Sequence, residues 1–235
     1  MRKTRYYSKK FDGVFFAKCS KDDSDPTVQD GRIERPWQRG KDEGIHVGWE
    51  AKTIRGFIES MYFQKFDSGD TQFCVGVQTD DGVDVLQMPL INKWNSMNDD
   101  VVAIALRHDA IELEFPVEFS IFVGNAYRTG YRPCYLNIKQ ANKPVWQTYK
   151  KTGKFTYEGV PDVIKEEGID GTDYNSKNRD KFLKGKLDEL VASVDALNKK
   201  EERPNTPAEQ ANSEAKTIPA TASAADSKDE DDFEW

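Results

Sequence analysis

Between Phe119 and Tyr157 the chain carries Arg128, Arg132, Lys139, Lys143, Lys150, Lys151 and Lys154, and not one aspartate or glutamate. The same stretch holds Phe119, Phe122, Tyr127, Tyr131, Tyr135, Trp146, Tyr149, Phe155 and Tyr157, a third of the protein's aromatic side chains. Cations that displace condensed counterions from phosphate, and flat rings on which bases stack, are what a protein needs to hold a nucleic-acid strand without reading its sequence. If Cys134, Leu136 and Ile138 point inward, strand alternation turns Tyr131, Tyr135 and Lys139 outward, with Tyr127, Arg128 and Arg132 in the loop before them. Lys143, Trp146 and Lys150 follow within the same acid-free run. Lys52 and Arg55 are placed to extend such a groove from an earlier strand, and Trp94 sits beside Lys93 in a loop. Tyr131, Tyr135 and Trp146 are read as stacking rings, although aromatics also favour strands for packing alone. Phe119 and Phe122 are read as packing residues. The basic N-terminus, Arg2 to Lys10 with Tyr6 and Tyr7, is either a backbone clamp or a basic tail.

A net charge of -7 argues against nucleic acid until it is located. Residues 201–235 contain ten acids and three bases and so account for all of it, leaving residues 1–200 neutral as a body. The last ten residues hold six acids and end Asp229-Glu230-Asp231-Asp232-Phe233-Glu234-Trp235. Exposed Phe and Trp at a polar terminus cost solubility without adding stability, so this segment is expected to dock into a partner. The rings would enter an apolar pocket and the carboxylates meet Arg or Lys around it.

The elements that must position these groups are mainly strands. Ala51 to Phe63 reads as a long strand of mixed faces, Gln72 to Gln78 as a second, and Val83 to Leu90 as a third after the turn Asp80-Asp81-Gly82. Met97, Val101, Ile104 and Ala105 have helical spacing, with Asn98 or Asp99 as N-cap. Ile111 to Val123 alternates over thirteen residues and reads as one half-buried strand, with Pro116 marking an edge or bulge; Tyr131 to Gln140 is the next. Three strands, a short helix and two strands fit an OB-fold-like five-stranded antiparallel barrel, and an open antiparallel sheet with one helix fits nearly as well. The expected organisation is an arm at 1–47 that packs on or extends the barrel, a binding domain at 48–157, a polar linker and amphipathic helix at 158–200, and a disordered acidic tail at 201–235. The helix rests on Phe182, Leu183, Leu187, Leu190, Val191, Val194 and Leu197, with Gly185 a weak point.

Ile54-Arg55-Gly56-Phe57-Ile58, Phe73 to Gln78, Val85-Leu86-Gln87-Met88-Pro89-Leu90 and Tyr135 to Lys139, closed by the acidic aromatic tail, resemble single-stranded DNA-binding proteins of tailed bacteriophages. The resemblance covers roughly residues 48–150 and the last ten. It implies an OB barrel that coats replication and recombination intermediates, and a C-terminal peptide that binds replication or recombination proteins. The tail departs from the Pro-Phe ending of the bacterial homotetrameric proteins, so its partner pocket is expected to differ.

Cys19, Cys74 and Cys134 are odd in number and far apart, which signals neither a disulfide framework nor a zinc site and suits a reducing, cytoplasmic setting. No apolar run approaches membrane-spanning length. No cofactor, metal or catalytic residue is expected. A metal-dependent nuclease built on Asp80-Asp81 or Asp99-Asp100 is the enzymatic alternative, but such pairs also serve turns and helix caps. An acidic interaction protein that does not bind nucleic acid is the other.

Overall fold

The structure is a computed structural model that describes residues 3–10, 12–19, 32–39, 42–92, 95–127, 132–153, 156–168 and 171–199. It is mainly β. Among the described residues ten strands form one sheet in the order β10-β9-β8-β5-β6-β7-β1-β2-β4-β3. In chain order these are β1 (Lys3–Lys9), β2 (Phe15–Lys18), β3 (Arg32–Arg39), β4 (Asp42–Ala51), β5 (Thr53–Lys65), β6 (Thr71–Thr79), β7 (Gly82–Pro89), β8 (Val117–Val123), β9 (Cys134–Gln140) and β10 (Lys143–Pro144). A separate ribbon pairs β11 (Ile164–Gly168) with β12 (Gly171–Asn175), inside the stretch read as linker. The helices among the described residues are α1 (Asp99–Ala105) and α2 (Lys177–Asn198).

The long strand β5 joins the two halves of the sheet. Its first residues, Thr53 to Gly56, pair with β8, and Phe57 to Lys65 pair with β6. Gly56 is the crossover, and a Cβ there would collide with the Gln78 carbonyl oxygen and carbon, which are backbone atoms that cannot move aside. A register shift between Ile58 and Ser60 then inserts one extra residue. This bulge switches the inward parity: Ile54 and Ile58 are buried before it and Met61 after it. The mixed faces of the sequence pattern have that cause.

The sheet does not close into the expected five-stranded antiparallel barrel. The edge of β7 is occupied by β1, which runs parallel to it from Lys3↔Gly82 to Ser8↔Gln87. Residues read as an arm form β1 to β4, and Tyr7, Phe15 and Ala17 lie in the same buried cluster as Phe73, Leu86 and Phe119. The reading of the N-terminus as a basic tail is corrected accordingly, because Lys3–Lys9 is a strand of the sheet. Tyr7 is buried, Arg5 faces Asp84 and lies over the Trp49 ring, and Lys9 is turned inward. The Lys9 Nζ sits 2.5 Å from Asp100 and donates to the Cys134 carbonyl at 2.9 Å, so this side chain spans from β1 to α1 and the start of β9.

The thirteen-residue strand is also corrected: β8 begins only at Val117. Before it the chain turns, and the Gln140 side chain accepts from the Glu112 N–H at 2.9 Å while donating to the carbonyls of Glu112 and Phe115 at 2.7 and 3.2 Å. With Pro116 unable to donate to a ladder, these bonds satisfy the backbone in place of a strand partner. Ile111 and Leu113 remain buried, whereas Phe115, expected inside, is exposed. The helix start agrees with its reading: the Asn98 side chain accepts from the Asp100 N–H at 3.0 Å. Helix α2 buries Leu183, Leu187, Leu190 and Val194 against β5 and α1. The Asp180 carboxylate ties its first turn to the Met97 N–H at 2.9 Å, and Asn198 ties its end to the Glu59 carbonyl at 2.6 Å.

Two stability measurements test this architecture. Gly56→Ala is expected to destabilise the fold by about 3 kcal/mol or more in denaturant titrations, because the clash is with backbone. Burial raises the Asp84 carboxyl from 3.8 to about 6, with Arg5 opposing and Asp81 adding to the shift. A carboxyl raised on folding contributes stability that is complete below its unfolded value and is lost as pH rises towards 6. Asp84→Asn is therefore expected to gain on the order of 1 kcal/mol over the parent at pH 8, after discounting for solvent reaching the pair, and much less at pH 4.

Candidate nucleic-acid interface

The strands β5, β8 and β9 lie side by side, and their cross-strand pairs sort every residue onto one face or the other. Ile54, Phe119 and Ile138 form one inward row, with Val117 and Leu136 beside it, all buried. The opposite parity forms three outward rows. Arg55, Glu118 and Lys139 make the first, Thr53, Ser120 and Asn137 the second, and Phe122 with Tyr135 the third. Neighbouring rows on one face are about 6.7 Å apart and direct neighbours about 5 Å. The phase read from Cys134, Leu136 and Ile138 thus places Tyr135 and Lys139 outward as expected.

The third row contains the ring that sequence reasoning missed. Phe122 is 62% exposed and stands directly opposite Tyr135, itself 47% exposed. Reading Phe122 as a packing residue is corrected: Phe119 packs, with no exposure, and Phe122 has the other parity. That parity, shared with Glu118 and Ser120, was the available signal. Two largely exposed aromatic side chains directly opposite each other on a sheet face put ring surface within reach of a ligand.

The first row is electrostatically mixed. Glu118 stands between Arg55 and Lys139, with its carboxylate 3.7 Å from the lysine Nζ. A strand of phosphates passing this row meets two cations and one anion, so the net attraction is smaller than the two bases alone would supply. The middle row is neutral and linked by the Asn137 amide donating to Ser120 Oγ at 3.1 Å.

Other expected residues gather around this face to different degrees. Lys52 is exposed at the break between β4 and β5, next to Thr53. Tyr127 is 57% exposed after β8, and Arg132 is exposed before β9. Lys143 lies exposed on β10, whose Pro144 pairs with Lys139, and Lys150 is exposed further on. Trp146, 77% exposed, follows Val145, whose N–H bonds the Ile138 carbonyl at 2.9 Å. Trp94, Arg128 and Tyr131, and the tail residues Asp229, Glu230, Asp231, Asp232, Phe233, Glu234 and Trp235, lie outside the described residues.

The carboxylate pairs considered for metal chemistry do not converge. Asp80 and Asp81 form the two-residue turn between Thr79 and Gly82. Asp99 is exposed while Asp100 is buried against Lys9. Burial raises the Asp100 carboxyl, and Lys9 opposes the shift. Among the described residues no helix is long and apolar enough to cross a membrane. Comparison with family models, characterised proteins and solved structures finds no match to this chain.

Proposed function

We propose that this protein binds single-stranded DNA, largely without sequence preference, on the outward face of β5, β8 and β9. The observation that carries the reading is the Phe122–Tyr135 ring pair on a sheet face that also presents Arg55 and Lys139 and is flanked by Lys52, Arg132, Lys143 and Lys150. Stacking on such rings tolerates any base, because every base has a π face, and the cations follow the phosphates. The order of elements from β5 to β9, a three-strand meander, a helix and a further strand pair, supports an OB-like core to which β1, β2, β3 and β4 have been added. The resemblance to phage single-stranded DNA-binding proteins points the same way. In that role the protein coats strands exposed during replication, recombination and repair and performs no catalysis. Its acidic, aromatic-ended C-terminus, rich in groups that suit a basic-rimmed apolar pocket, recruits replication or recombination proteins.

Fluorescence anisotropy with a labelled oligothymidylate at several salt concentrations tests the proposal. Affinity is expected to fall steeply as salt rises. Tyr135→Ala and Phe122→Ala are each expected to weaken binding by about 1–3 kcal/mol with little change in salt slope. Glu118→Gln is expected to bind more tightly at low salt, by roughly twofold to tenfold, with the gain fading near 0.5 M salt as screening takes over. No binding at low salt, or binding that ignores salt, contradicts the proposal.

The tail has its own test. A chain ending at Ala225 is expected to bind the oligonucleotide as well as or better than the full chain, and to lose capture of polymerase, helicase or recombination proteins from the cognate cell. Weaker strand binding after truncation, or unchanged capture, contradicts the assigned role.

A further inference from the structure

Beside the β9–β10 hairpin lies an open depression of about 590 Å³, lined by Ala110, Glu112, Phe115, Lys143, Pro144 and Trp146 among others. Its two aromatic walls are exposed rings on pinned backbone. Trp146 sits between Val145, whose carbonyl accepts from Arg107 Nε at 2.8 Å, and Thr148, whose N–H bonds the Leu106 carbonyl at 2.8 Å. Phe115 is held by the Gln140 amide, which is fully committed to the 112–115 turn. With the backbone that carries these rings already ordered, a planar ligand has only side-chain freedom left to restrict, which favours binding.

The polar lining has one sign on each side of the question. Lys143 suits a phosphate, and Glu112 repels one. A ligand that satisfies both has an anionic part for the lysine and hydrogen-bond donors for the carboxylate. A nucleotide whose base bears an exocyclic amine has this composition: cytosine presents its N4 amine as a donor, whereas thymine presents the O4 acceptor, which a carboxylate repels. We infer that this depression is a base-selective subsite that takes one amine-bearing base of the bound strand, cytosine before thymine, between Phe115 and Trp146, with Glu112 accepting from the amine and Lys143 meeting the phosphate. The inference rests on the strand-binding proposal and adds to it one position where the protein reads the base.

The test compares dC9 and dT9 binding to the full chain and to Glu112→Gln, which keeps the size of the side chain and both backbone bonds to Gln140 but can donate to a thymine O4. The parent is expected to bind dC9 roughly threefold to tenfold more tightly than dT9. Glu112→Gln is expected to bring that ratio close to one. Trp146→Ala is expected to weaken both oligonucleotides by roughly fivefold or more without altering the salt slope. A ratio unchanged between parent and Glu112→Gln, or a parent preference for dT9, overturns the subsite while leaving strand binding intact. Failure of the parent to bind either oligonucleotide overturns strand binding and the subsite together.

Discussion

The sheet depends on β5 serving two partners. One continuous strand pairs with β8 through its first four residues and with β6 through the rest, and the change of partner takes place at Gly56, where only a residue without a Cβ fits against Gln78. The outward face is built from that crossover and from the β8–β9 ladder beside it. The crossover sets the register in which Arg55 meets Glu118, and the adjoining β8–β9 ladder turns Phe122 and Tyr135 to the same face. The bulge after Ile58 lets the remainder of β5 bury Met61 instead, and α2 is tied to the extra residue, Glu59, through Asn198.

Charge on this protein is organised at three scales. The chain as a whole is acidic, its first 200 residues are neutral, and the stretch 119–157 is purely basic. At the finest scale the outward face carries Glu118 between two bases, so cation count alone overstates its attraction for phosphate. A stretch devoid of acids is therefore not the same as a surface devoid of them. The neighbouring strand supplies the acid, and only the pairing of strands brings it there.

Much of this was legible in the sequence, for local reasons. The meander from β5 to β7, the Asn98 cap, the apolar stripe of α2 and the outward phase of Tyr135 and Lys139 all follow from short-range periodicity and turn chemistry. What escaped depended on contacts between distant segments. Alternation from Ile111 to Phe115 was genuine, yet Gln140, some 28 residues away in sequence, holds that segment as a turn. The parallel addition of β1 to β7 leaves no local trace, and Lys9 gives no sign in sequence that it turns inward to Asp100. Phe122 lies on a parity whose other members, Glu118 and Ser120, are polar; a largely acidic parity speaks against stacking there, but the same alternation places the ring outward.

Photo-cross-linking of the full chain to an oligonucleotide carrying 5-iodouracil, with adducts mapped by mass spectrometry, asks most directly whether this face touches the strand. Adducts on Phe122, Tyr135 and neighbouring residues of β8 and β9, competed away by excess unlabelled oligothymidylate, are the expected result. Efficient cross-linking confined to other faces of the sheet, with Phe122 and Tyr135 untouched, would contradict it.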